Sequence, residues 1–155
     1  MSTINRDATI FIGIGNCGRG DDGLGWAFLD KLAQTNYQGH LIYRYQLNIE
    51  DAELISPFKH VIFVDAFAED LPKGFQFVKV TAENSYAVSS HRMNPEMIMY
   101  LSKELYNTSC DGYKMLISGN CWGLKEGLSP EAEENLEKAW LSMQSILLAN
   151  SAEVK

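Results

Sequence analysis

The chain has 155 residues, of which 46% are hydrophobic and 21% are charged. This length and apolar content suit a single folded domain over residues 1–155. No stretch is low in complexity and no repeat period is visible, which argues against a disordered chain and a repeat array. The formal net charge of -7 would repel phosphate backbones and anionic lipid, so we expect no nucleic-acid partner and no membrane partner.

Two further features bear on location. Residues 1–7 are polar and lack the basic flank and long apolar run of a targeting signal. The three cysteines form no CxxC pair, which argues against a disulfide framework and a zinc knuckle. We therefore expect a cytoplasmic protein, and we favour a monomer.

Apolar runs alternate with helical patterns along the chain, which predicts βαβ units. Four helices are predicted. The first begins at Leu24 and the second spans residues 51–58, while the third and fourth begin after the caps Asn94-Pro95 and Ser129-Pro130. The short connection before the fourth strand predicts that it runs antiparallel to the third. The strands are predicted over residues 8–14, 40–47, 61–66, 75–80 and 113–118.

The sum of these elements is an α/β fold. It is a three-layer αβα sandwich with a mostly parallel five-stranded sheet, of the phosphorylase/hydrolase-like kind.

Polar side chains follow the predicted strands, where ligands bind in open parallel sheets. Two carboxylates and an imidazole, Asp22, Asp65 and His91, make a three-ligand set able to hold a divalent metal and activate water. Each also has a structural alternative, because Asp22 suits a helix N-terminus, Asp65 a turn and His91 a surface loop. The neighbouring polar residues Asn16, Asp21 and Asn120 are candidates for the substrate cleft.

Two other chemistries are open at the first loop. The stretch from Gly13 to Gly18 reads GxGxxG, the dinucleotide fingerprint, but Asp21 and Asp22 would repel a pyrophosphate at the helix mouth. Cys17 precedes a helix and could act as a thiolate nucleophile with His91 as its base, although packing in a tight loop is the simpler interpretation.

The stretch GIGNCGRGDDGLG, residues 13–25, resembles the opening signature of the hydrogenase maturation proteases. Later blocks also look like that family's, in the same order: VDA at 64–66, SH at 90–91 and EGLSPE at 126–131. Gly18 stands where the family usually has an apolar residue, and the second predicted strand ends in Gln46-Leu47 instead of an acidic, glycine-containing turn. The resemblance covers nearly the whole chain.

The resemblance implies an endopeptidase that removes a C-terminal extension from the large-subunit precursor of a nickel-iron hydrogenase. It implies that Asp22, Asp65 and His91 contact the metal, which would be nickel supplied by the precursor. Two alternatives stay open: a non-catalytic module that binds metal or a maturation factor in the same cleft, and a dinucleotide-binding oxidoreductase.

Overall fold

The protein is built on one five-stranded sheet, seen in a computed structural model that describes residues 8–37, 39–84 and 93–153. The strand order is β2-β1-β3-β5-β4, and every neighbouring pair is parallel except β4 with β5. The mostly parallel sheet of the sequence prediction is therefore confirmed. The strands are β1 (Thr9–Ile14), β2 (His40–Arg44), β3 (His60–Phe67), β4 (Phe75–Val80) and β5 (Asp111–Ser118).

Helices cover both faces of the sheet, which confirms the three-layer αβα prediction. The helices are α1 (Leu24–Ala33), α2 (Asp51–Leu54), α3 (Pro95–Tyr106) and α4 (Pro130–Glu153), and a 3-10 turn, Gly20–Gly23, precedes α1. Side chains that alternate along each strand pack into two separate cores. Phe11 packs with α1 and α4, whereas Phe63 packs with the side of α3 and the residues around α2.

The predicted caps hold at the starts of the two longer late helices. Asn94 Oδ1 accepts a hydrogen bond from Met97 N at 2.8 Å, and Ser129 Oγ accepts one from Ala132 N at 3.2 Å. Each proline that follows fills a first-turn position where its missing N–H costs nothing. These two starts were readable from the sequence because both signals coincide.

Two predicted elements are shorter in the structure. The strand β2 ends at Arg44 and not at residue 47, because residues 45–50 turn away and are fastened by Asp51. The helix α2 ends at Leu54 and not at residue 58, and Pro57, which disfavours a helical residue before it, contributes to that early end.

The predicted direction of β4, antiparallel to β3, is confirmed, although the two strands are not neighbours. The strand β4 runs antiparallel to β5 at the edge of the sheet, and β5 separates it from β3. The connection from β3 to β4 crosses the end of β5, where Ser118 Oγ donates to Glu69 O and accepts from Leu71 N, both at 2.9 Å. A short connection from β3 can thus pass over the end of β5 and reach its far side, because the Ser118 side chain holds it there.

Within the part of the chain that the structure describes, no helix has the length and apolar character needed to cross a bilayer.

Candidate functional site

An open cleft of about 850 Å³ lies at the carboxyl ends of β1 and β3. The chain leaves β1 through α1 on one face and reaches β3 through α2 on the other, so this is the point where the strand order reverses. Open α/β sheets bind ligands at such points. The cleft is lined by Ile14, Gly15, Asn16, Arg19, Asp22, Tyr45, Gln46, Leu47, Asn48, Ile49, Glu50, Asp65, Met93, Asn94 and Pro95.

The loop after β1 brings Asp22 into the cleft. Asn16 N donates to the Asp22 carbonyl oxygen at 3.1 Å, which folds the loop back on itself. Gly15 has φ of +145°, and a Cβ there would collide with the same carbonyl oxygen. A glycine is therefore required for Asp22 to reach this position.

Close packing of α1 on the sheet fixes the other side of that loop. A Cβ on Gly25 would lie 2.6 Å from Ile14 O and would also collide with Val64 O. The helix therefore sits directly against β1 and β3, the two strands that carry the cleft. The spacing of the glycine signature thus has a packing explanation.

Asp65, near the end of β3, faces the cleft as the second carboxylate. Burial and, to a smaller extent, the charge of Asp22 together raise the pKa of Asp65 to about 7, against the opposing effect of a hydrogen bond from Ala66 N at 2.8 Å. The two predicted carboxylates are therefore close enough to interact. A carboxyl with this pKa can exchange a proton near neutral pH.

Asp21 has a different environment from its neighbour. It is fully buried, and its carboxylate accepts four hydrogen bonds: from Asn120 N at 2.8 Å, Cys121 N at 2.9 Å, Ser129 N at 2.7 Å and Ser129 Oγ at 2.7 Å. Burial by itself raises the pKa of Asp21, but these hydrogen bonds outweigh it and hold the pKa below its ordinary value. The carboxylate ties the 3-10 turn to the loop before α4.

The sequence predicts Asn16, Asp21 and Asn120 in the substrate cleft, and this is right for Asn16 alone. Asp21 does not line the cleft because its carboxylate is used inside the protein. Asn120 is exposed beside that carboxylate, where its Oδ1 accepts from Ser129 Oγ at 3.1 Å. His91, the third predicted metal contact, lies outside the described residues.

One wall of the cleft is the segment 45–50, part of which was wrongly predicted to belong to β2. A buried carboxylate holds this segment, because Asp51 Oδ1 pairs with Arg44 Nε at 3.1 Å and Asp51 Oδ2 accepts from Asn48 N at 2.9 Å. Tyr45 and Ile49 remain 70% and 53% exposed at the rim. This wall therefore presents apolar surface to whatever enters the cleft.

The described residues contain no group of three or more His, Cys, Asp and Glu side chains that could hold a metal ion. Asp22 and Asp65 nevertheless provide two oxygen ligands at one position, and oxygen and imidazole ligands both suit divalent metals. A metal held here would need a further ligand from His91 or from the substrate.

The structure also locates the residues of the two alternative sites, the cysteine nucleophile and the dinucleotide loop. Cys17 is exposed and lines a separate groove with Trp26 and Leu128, and its suggested base, His91, is outside the described residues. The GxGxxG stretch does not lead directly into α1, because the 3-10 turn intervenes and carries Asp22 into the cleft. A pyrophosphate at this loop would meet that carboxylate.

No protein-family model matches the chain, and no curated protein matches it. Solved structures do match. The [NiFe] hydrogenase maturation protease HycI from Thermococcus kodakarensis is 26% identical, with a TM-score of 0.68 over 90% of this chain and 91% of that one. The hydrogenase maturating endopeptidase HybD from E. coli is 16% identical, with a TM-score of 0.67 over 91% and 92%. An endopeptidase from Escherichia coli reaches 0.70 at 17% identity, over 90% and 91%.

These likenesses extend over about nine tenths of the chain and bear out the HybD/HycI-like resemblance seen in the sequence. They also confirm the α/β fold class. All three of these neighbours are proteases or endopeptidases.

Proposed function

We propose that this HybD/HycI-like chain is an endopeptidase that removes a C-terminal extension from the large-subunit precursor of a nickel-iron hydrogenase. The observation that carries the proposal is the convergence of Asp22 and Asp65 in one open cleft, in a chain with the fold of known maturation proteases. The cleft is open enough to admit a segment of polypeptide, and its exposed apolar rim suits an uncharged peptide backbone with side chains.

The precursor would bring nickel as part of the substrate. Asp22, Asp65 and His91 are the proposed contacts, because two carboxylates and one imidazole leave coordination positions for ligands from the precursor. A precursor without nickel would bring no cation to Asp22 and Asp65, so the repulsion between their two carboxylates would not be relieved. Metal contact would serve as a test that the substrate is ready to be cut.

Nickel in the precursor would polarise the scissile carbonyl. Asp65 would take a proton from the attacking water while the water oxygen bonds to the carbonyl carbon. The C–N bond then breaks, and the leaving nitrogen receives that proton. The position of Asp65 in the cleft supports this assignment, and its pKa of about 7 in the metal-free protein suits a group that accepts and returns a proton.

The test of the site is a processing assay with single variants. Asp22→Ala and Asp65→Ala should each reduce cleavage of the nickel-loaded precursor at least about 100-fold, as removal of a general base or metal contact does. Asp70→Ala is the matched control, because Asp70 is an exposed carboxylate that follows the same strand and lies outside the cleft. Normal processing by Asp22→Ala would reject the site.

A module that binds the precursor without cutting it is the alternative that this assay separates. It would show nickel-dependent binding by the unmodified protein, weakened by the same substitutions, with no peptide released. We further propose that the protein is cytoplasmic and acts as a monomer. Its three cysteines are free thiols, which suits a reducing compartment, and light scattering would check the oligomeric state.

A further inference from the structure

The cleft contains one charge that its two carboxylates do not explain. Arg19 is exposed and is the only cationic side chain among the described residues that line the cleft, whose acids are Asp22, Glu50 and Asp65. Within the described residues, its guanidinium forms no ion pair, although other arginine and lysine side chains do so. A cation beside three acids that pairs with none of them is available for an anion from outside.

The backbone of Arg19 is fixed on both sides, so the base of its side chain has a defined position. Arg19 N donates to Asn16 O at 3.1 Å, and Asp22 N donates to Arg19 O at 3.2 Å. Arg19 also forms a parallel β-bridge with Lys125, in which Gly20 N donates to Lys125 O at 2.7 Å. The same turn therefore presents both Arg19 and Asp22 to the cleft.

Peptide hydrolysis itself creates an anion at the bond that is cut. When the water oxygen bonds to the carbonyl carbon, the carbonyl oxygen takes the electron pair of the C=O double bond and becomes negative. When the C–N bond breaks, that oxygen belongs to the new carboxylate of the shortened chain. A guanidinium positioned at this oxygen would stabilise charge that is absent from the intact peptide.

We propose that Arg19 is a catalytic residue that donates hydrogen bonds to the oxyanion formed at the scissile carbonyl. This inference rests on the proposed endopeptidase function. Its position on the turn that carries Asp22 supports the assignment, because the same turn would then supply a carboxylate for the metal and a cation for the developing oxyanion. Since the described residues give Arg19 no ion pair, none of them has to release the guanidinium before it reaches the oxyanion.

The test compares Arg19→Gln and Arg19→Lys with Lys125→Gln in cleavage of nickel-loaded precursor. Lys125→Gln is the matched control, since Lys125 is an exposed cation bridged to Arg19 that does not line the cleft. Arg19→Gln should lower kcat about 100-fold, as loss of an oxyanion donor does, with KM changed less than about twofold. Arg19→Lys should keep part of the rate, and added guanidinium ion should partly restore Arg19→Gln.

Melting temperatures of all three variants should stay within about 2 °C of the unmodified protein, because each replaced side chain is exposed. A raised KM at unchanged kcat would overturn the inference and show that Arg19 binds a fixed anionic group of the precursor. Equal rates for Arg19→Gln and Lys125→Gln would also overturn it, while leaving the endopeptidase intact. Absence of cleavage by the unmodified protein would instead reject the proposed function, and the inference with it.

Discussion

Replacement of Asp21 by asparagine tests whether this residue is structural, as its contacts indicate. The carboxylate accepts three hydrogen bonds at Oδ2 and one at Oδ1. In the better orientation of the new amide, its oxygen would keep the three donors of the Oδ2 position. Its nitrogen would then face Ser129 N, leaving at least two buried N–H groups without an acceptor, that of Ser129 and one of the new amide.

The expected cost follows from this count. Each unsatisfied buried N–H costs about 1–3 kcal/mol, and each of the three remaining hydrogen bonds weakens by about 0.5–1 kcal/mol when its acceptor loses its charge. Removing a buried charge offsets part of this, so we expect a loss of about 3 kcal/mol. For a chain of this length that lowers Tm by about 6–12 °C.

Thermal unfolding followed by circular dichroism measures the effect, with Asp22→Asn as the matched control. Asp22 is the adjacent carboxylate, and its side chain makes no hydrogen bond within the described residues, so its replacement should change stability by less than about 1 kcal/mol. Because the folded state lowers the pKa of Asp21, its contribution is present above the unfolded pKa and is lost as pH falls through the folded value. The gap between unmodified protein and Asp21→Asn should therefore narrow in acid.

Equal melting temperatures for Asp21→Asn and Asp22→Asn near neutral pH would show that Asp21 has no special structural role. That result would mean that the loop before α4 holds its position without the carboxylate.

Two other substitutions test the site through stability. The folded state raises the pKa of Asp65 to about 7, so ionisation destabilises the metal-free protein as pH rises from about 4 to 7. The full pKa shift corresponds to about 4 kcal/mol of unfolding free energy, and water in the open cleft reduces this value. In urea unfolding, the stability of Asp65→Asn relative to the unmodified protein should therefore rise by about 2 kcal/mol between pH 4 and pH 8. A stability difference that does not change with pH would contradict this expectation. Gly25→Ala should lower the free energy of unfolding by about 2–4 kcal/mol, because its Cβ would collide with two backbone oxygens. Gly123→Ala is the control and should be nearly neutral, because nothing lies within 4 Å of a Cβ there. Equal urea midpoints for the two variants would show that α1 can move away from the sheet.

The fold was largely predictable because its signals are local. Continuous apolar runs identify strands buried on both faces, and the pairs Asn94-Pro95 and Ser129-Pro130 each combine a cap with a residue suited to the first helical turn. The neighbour of β4 was not predictable, since it depends on Ser118, a residue distant in sequence that anchors the crossing connection.

The site was predictable only in part. Asp22 and Asp65 could be placed together because both follow parallel strands. The sequence could not show that Asp21 and Asp22 have different roles. A 3-10 turn directs the carboxylate of Asp21 inward and that of Asp22 into the cleft, and such a turn leaves no periodic pattern in the sequence. The wall at 45–50 was not predicted. The ion pair between Arg44 and Asp51 that holds it spans a turn without glycine or proline, so the sequence shows no turn signal. Arg19 stood inside the recognised signature, and only the lining of the cleft gives it a role.

The central claim is tested most directly by mixing the purified protein with a hydrogenase large-subunit precursor, with and without nickel, and measuring the mass of the intact precursor over time. A nickel-dependent endopeptidase would release one C-terminal peptide from the nickel-loaded precursor and leave the mass of the nickel-free form unchanged. A nickel-loaded precursor that binds the protein tightly and keeps its full mass would reject the endopeptidase and favour a module that binds without cutting.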